Sequence, residues 1–265
     1  MPAPQPDVSP PATRGNLFDN IRVQHGPVDV IRGFLRLGEQ EVLRRGISLS
    51  FATFAELLAV NEQNRDSWRP LVAVFDPRLN MLEPTSSYCI LGRNRLGEVV
   101  SAQAARLYDW RQTNFYDEVT SLRFIYQNPE QDKRPGEGIR VTAKEATNLG
   151  GRLVFSGAGW YRRDHRNTGL STVLPRVSRA CALTLWDPDC VFTLMAEPVF
   201  RGGFAQRGGF THSSSSVRWT NSVLGDIELL LVWMTAQEAY SDLAAASESL
   251  SPRDPRPVGG GSRRQ

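Results

Sequence analysis

Cysteine is scarce in this chain: Cys89, Cys181 and Cys190 are all there is, with no C-x-x-C pair. An odd, unpaired set argues against a disulfide framework and a cysteine-based zinc site, and it suits a reducing, cytoplasmic setting. Histidine is as sparse, at three residues, so no ligand set for a catalytic metal is visible. Long apolar runs are missing. The longest, residues 227–234, is interrupted by Glu228 and falls far short of the ~20 residues that span a bilayer. The opening stretch, MPAPQPDVSPPATRG, lacks the apolar core of a signal peptide. Lysine is nearly absent: Lys133 and Lys144 are the only two among 31 basic residues. Arginine carries the positive charge instead, and its planar fork suits bidentate binding of anions. The G-x-S-x-G elbow of a serine hydrolase does not occur.

What remains is ordinary globular composition, 40% apolar and 22% charged over 265 residues. That is one large domain or two small ones, long enough to bury a core without disulfides. The net charge of +3 is too small to argue for nucleic acid. Residues 1–15 are proline-rich, and residues 246–265 carry three prolines and a glycine triplet; both read as disordered. Residues 16–46 read as an N-terminal helical extension, with apolar positions on one face from Val30 to Leu43. Residues 47–245 read as one domain of mixed α/β order. It runs through a strand at 47–51, a helix at 53–61 begun by Thr53 with Glu56 three residues on, and a second helix at 66–75. A hairpin spans 87–108. A less regular insert follows at 109–150, with a polar surface loop at 128–138 and a short helix near 142–149. Then come a buried strand at 153–160, a helix at 170–185, a buried strand at 190–195, a short helix at 197–207 and a closing strand pair at 217–220 and 227–235.

The strand–loop–helix block from residue 153 to 185 carries the chemistry. Its loop holds Arg162, Arg163, His165 and Arg166 against Asp164 alone, and Gly169 stands where the helix begins. A helix start presents unpaired N–H groups and partial positive charge, a setting that favours phosphate. Ser171 and Thr172 add hydroxyls. A P-loop would need a lysine that is not there. A dinucleotide fingerprint finds Gly157 and Gly159 but meets Arg162 at its third glycine, which keeps a nucleotide-dependent oxidoreductase as a weaker alternative.

The run Arg166-Asn167-Thr168-Gly169-Leu170-Ser171, in that setting, resembles the acyl-CoA pyrophosphate loop of the GCN5-related N-acetyltransferase (GNAT) superfamily. The element order from about residue 47 to 235 is similar to that family's as well. The resemblance implies a central mixed, mostly antiparallel sheet flanked by helices, acetyl-CoA or another acyl-CoA as co-substrate, and acyl transfer to a small-molecule or peptide amine by direct attack. It assigns the pyrophosphate to Arg166, Asn167, Thr168, Gly169, Leu170 and Ser171, and the pantetheine arm to the strand end, with Trp160, Tyr161 and Arg162. It places the pocket between the strands at 153–160 and 190–195, with residues 16–46 and 109–150 shaping the acceptor side. It implies neither a nucleic-acid nor a membrane partner, and allows a homodimer.

The departures from the family concern catalysis. Ser171 replaces a small Gly or Ala, Pro198 stands where an Asn is frequent, Ala205 stands where a Tyr acid is frequent, and the strand at 153–160 has no carboxylate. No catalytic residue is named; Glu197, Tyr108 and His212 are candidates. A catalytically lapsed acyl-CoA-binding or partner-binding protein is the alternative.

Overall fold

The computed structural model describes residues 16–251. The chain runs α1 (Leu17–Asn20), α2 (Val28–Arg44), β1 (Ser48–Ala52), α3 (Phe54–Gln63), β2 (Ser87–Arg93), β3 (Val99–Trp110), α4 (Phe115–Thr120), α5 (Pro129–Asp132), β4 (Gly138–Val141), β5 (Gly151–Tyr161), α6 (Leu170–Trp186), β6 (Cys190–Ala196), α7 (Glu197–Arg201), α8 (Phe204–Arg207), β7 (His212–Ser222), β8 (Gly225–Thr235) and α9 (Ala236–Leu250). The eight strands form one sheet in the order β1-β2-β3-β5-β6-β8-β7-β4. Every neighbouring pair is antiparallel except β5 and β6. This is the mixed, mostly antiparallel sheet flanked by helices expected from the sequence.

Alternation of side chains sends each strand's residues to two separate cores. On one face α2, α6 and α9 pack together, burying Phe34, Leu174, Val177 and Leu243. On the other face lie α3 and the chain between residues 68 and 146, around an aromatic knot of Phe75, Trp110, Phe124, Phe155 and Phe192.

Several expectations need correction. Residues 66–75 are not a helix; only a 3₁₀ turn at Ala73–Phe75 forms. Pro70 disfavours the α conformation at Arg69. The buried Asn61 side chain then pins the segment, donating to the Arg69 carbonyl at 2.9 Å and accepting from Leu71 N–H at 3.0 Å. The polar stretch at 128–138 holds the short α5, and residues 138–141 form an unforeseen edge strand against β7. The helix at 197–207 is two pieces, broken at Gly202-Gly203, where Gly203 takes φ +75°.

Residues 246–250 belong to a helix rather than to a disordered tail. Thr235 and Glu238 close a capping box that starts α9, and Leu243, Ala246 and Leu250 anchor it to the α2–α6 core. Residues 1–15 and 252–265 lie outside the described residues. Residues 16–46 were expected on the acceptor side, but α2 packs on α6 and α9 instead. Among the described residues no helix is long and apolar enough to cross a membrane.

Candidate functional site

Strands β5 and β6 run side by side for three residue pairs only, ending at Phe155 opposite Phe192. Beyond that they part. β5 stays with β3 and β6 stays with β8, so the facing edges of residues 156–161 and 193–196 have no strand between them. A cavity of about 460 Å³ fills the gap. Its wall includes the backbone of residues 156–161, Thr193 to Ala196, Pro175 of α6 and Arg166. An exposed strand edge of this kind is a template for an extended ligand with amide groups.

The β5 side of the cavity is bent. The β3–β5 register slips between Ala102 and Ala104, and Ala158 takes φ +52°, a conformation L side chains rarely adopt. Gln103 holds the bulge, its Nε2 donating to Ser156 Oγ at 3.1 Å and to the Gly157 carbonyl at 3.0 Å. Gly157 has no room for a side chain, since a Cβ there would meet the Phe75 ring at 2.8 Å. The left-handed residue here is Ala158, between Gly157 and Gly159. Backbone strain concentrates where structure holds it for a purpose.

The loop after β5 reaches the cavity through Arg166. Asn167 (φ +61°) and Gly169 (φ +84°) are both left-handed, and Gly169 caps α6 without a side chain. The first N–H groups of α6, those of Leu170 and Ser171 included, have no partner within the helix. The loop is tied down by its own arginines. Arg166 donates to the Tyr161 carbonyl at 3.1 Å and to the Ser67 carbonyl at 3.2 Å, and Arg163 reaches the Asp66 carbonyl at 2.7 Å. Thr168 Oγ1 donates to the His165 carbonyl at 2.8 Å. Arg45, just past α2, donates to the Thr168 carbonyl at 2.6 Å, and its Nη2 would lie 2.7 Å from a Cβ on Gly169.

Arg162, assigned from the sequence to the pantetheine arm, is engaged elsewhere. Its guanidinium forks onto Asp164 at 2.8 Å and reaches Glu98 at 3.0 Å, so two carboxylates already neutralise it. Trp160 is buried and stacks on Trp68, ring centroids 5.0 Å apart, with its indole N–H toward Ser67 Oγ. Tyr161 lines the cavity, and its buried hydroxyl has no hydrogen-bond partner among the described residues. Burial alone pushes its phenol well above the ordinary value, so it stays a neutral donor.

A second cavity, of about 550 Å³, adjoins the first, and Arg69, Leu194, Ala196 and Val199 line both. Phe124 and Ile125 bring the 109–150 insert into its wall. Of the catalytic candidates only Glu197 lines either cavity; it pairs with Arg201. Tyr108 is half-buried and donates to the Phe124 carbonyl, while His212 lies outside, stacked on Trp233 beside Glu238. Burial raises all three cysteine thiols, Cys190 to about 12, which removes them as nucleophiles. The sequence reading missed Trp68, Arg69 and Gln103. The first two lie in the segment misread as a helix, where Arg69-Pro70 was the available signal against one.

No protein-family model matches the sequence, and no curated protein matches it. Among solved structures, the aminoglycoside acetyltransferase AAC(6')-Ib, in complex with coenzyme A and kanamycin, is similar at 14% identity and a TM-score of 0.41, over 72% of this chain and 96% of its own. A spermidine N-acetyltransferase from Vibrio cholerae is similar at 8% identity and a TM-score of 0.41, over 73% of this chain and 96% of its own.

Proposed function

We propose that this chain is an acyl-CoA-dependent N-acyltransferase, most simply an acetyltransferase acting on an amine. The observation that carries the reading is the parting of β5 and β6 around a cavity lined by the bulged strand, by Arg166 of the loop before α6 and by Pro175 of α6. A pantetheine arm has the amide groups to pair with the free edge of residues 156–161. The pyrophosphate has the first turn of α6, beside which the Arg45 guanidinium packs over Gly169. Of the residues assigned from the sequence, Trp160, Tyr161, Arg166, Asn167, Thr168, Gly169, Leu170 and Ser171 keep a place in this reading, and Arg162 acts only as an anchor for the loop.

The reaction is an attack by the neutral amine nitrogen on the thioester carbonyl. The C–N bond forms, the C–S bond breaks, and the proton lost from nitrogen ends on the thiol of free CoA. Backbone N–H groups at the bulge are the donors available to the carbonyl oxygen as charge develops on it. Tyr161 is a protonated donor in the same cavity.

A second reading, an acyl-CoA-binding protein without catalysis, is favoured by one observation: no Asp, Glu or His lines the cavity between the parted strands. Thermal-shift titration with acetyl-CoA, with dephospho-CoA and NADH as controls, tests the shared premise. A ligand at 100 times its Kd stabilises a folded protein by about 2.7 kcal/mol. A saturable shift with acetyl-CoA and thiol release in the presence of amines supports the enzyme; a shift without release across an amine panel supports the binder. No shift with any CoA species overturns both, and a shift with NADH alone restores the oxidoreductase.

A further inference from the structure

The second cavity describes its ligand by what its wall lacks. No Ser, Thr, Asn, Gln or Tyr lines it. Phe124, Ile125, Phe155 and Trp219 form a floor that is at most 5% exposed. The Trp219 indole N–H is already spent on Glu137 Oε1 at 2.8 Å. A ligand rich in hydroxyls would lose its water there and gain no hydrogen bonds in return. The three carboxylates of the wall are also engaged. Glu197 pairs with Arg201, Glu228 lies 3.6 Å from Arg218, and Asp226 accepts from Asn221 N–H at 2.9 Å.

Arg69 is the exception. It lies at the seam that both cavities share, and its guanidinium has no hydrogen bond or ion pair among the described residues. If the thioester lies between the parted strands and the acceptor in the second cavity, the attacking nitrogen sits at this seam. A fixed cation there disfavours an ammonium and favours the neutral amine that attack requires. It also calls for an anion close to the nitrogen, and a guanidinium is shaped to take a carboxylate in bidentate fashion.

Resting on the acyltransfer reading, we propose that the acceptor is an α-amino acid with an apolar side chain. Its carboxylate binds Arg69, its amine faces the seam, and its side chain fills the apolar cavity. The bonds made and broken are those given above, and the product is the N-acyl amino acid.

The test uses the full chain with acetyl-CoA. Thiol release and product mass are followed for L-phenylalanine, phenethylamine, glycine, spermidine and kanamycin. Phenylalanine should exceed phenethylamine, which lacks only the carboxylate, by about tenfold or more in kcat/KM, the worth of one charge-assisted contact. It should exceed glycine by a similar factor, since burying an aromatic side chain is worth about 1.5–3 kcal/mol. In Arg69→Ala the phenylalanine-to-phenethylamine ratio should fall to near unity, with Arg69→Lys keeping part of it. Arg69 is exposed, so neither change disturbs the core.

The inference is overturned if phenethylamine, spermidine or kanamycin is the better substrate, or if the ratio survives in Arg69→Ala. It is overturned too if succinyl-CoA replaces acetyl-CoA as preferred donor and loses that preference in Arg69→Ala, which puts the anion on the acyl group. A normal acetyl-CoA thermal shift with no transfer to phenylalanine sinks this inference alone; an absent shift sinks the acyltransfer reading with it.

Discussion

The cavity between the parted strands is bounded by two strand edges, and its neighbour by groups from many elements. The first is lined by two strand edges, the bulge at Ala158, Arg166 and Pro175 of α6. The second is made of apolar groups gathered from residue 72, the 124–125 turn, β5, β6 and the β7–β8 hairpin. Backbone offers repeating donors and acceptors, which suit a ligand that is itself a chain of amides and phosphates. Side chains offer shape and apolar area, which suit one compact body. The two should therefore fail separately when mutated.

The largest effect is expected at Gly169. A leucine there would be strained at φ +84°, a cost of about 1–3 kcal/mol, and would occupy the space above the helix start. Acetyl-CoA affinity measured by calorimetry should fall about a hundredfold or more, with the far-ultraviolet spectrum unchanged. A Gly169→Leu chain that binds normally would remove α6 from the site. Next is Gln103→Leu, which strips the bulge of two hydrogen bonds. Loss of about 1–3 kcal/mol of stability in urea is expected, together with weaker acetyl-CoA binding; loss of stability with no change in binding would make the bulge purely structural.

On the other side, Leu224→Ser should raise the acceptor KM about three- to tenfold through lost apolar burial while leaving the acetyl-CoA thermal shift alone. If both move together, the cavities do not divide the work. The smallest effect should be at Tyr161. Tyr161→Phe removes a buried hydroxyl that lacks a partner, so the free protein should gain about 1 kcal/mol. If a ligand satisfies that hydroxyl, the same variant should show a smaller acetyl-CoA shift, moving stability and affinity in opposite directions.

The same division explains what could be read from the sequence. The strand–loop–helix unit at 153–185 was legible because strand, arginine-rich loop, Gly169 and amphipathic helix are contiguous and each has a local physical signature. The start of the tail helix was locally encoded too, in Thr235 and Glu238, but the prolines beyond 251 drew the boundary too early. The second cavity was not legible. Phe124, Ile125, Trp219 and Leu224 meet only through the sheet order, in which the edge strand β4 pairs with β7 across some eighty residues of chain. Arg69 was hidden by the reading of 66–75 as a helix, because the side chain that prevents it, Asn61, acts from the preceding helix. The pairing of Arg162 with Glu98 likewise joins residues sixty-four positions apart, so its neutralisation was invisible.

Arg45, just past the second helix, reaches this site with its Nε on the Thr168 carbonyl beside Gly169. Whatever binds at the start of α6 must either keep that contact or replace it. Binding is thereby thermodynamically linked to the docking of the N-terminal helix, and linkage is reciprocal. A ligand that tightens the contact makes residues 16–45 harder to peel away, and proteolysis or a partner that peels them away must loosen the ligand by the same factor.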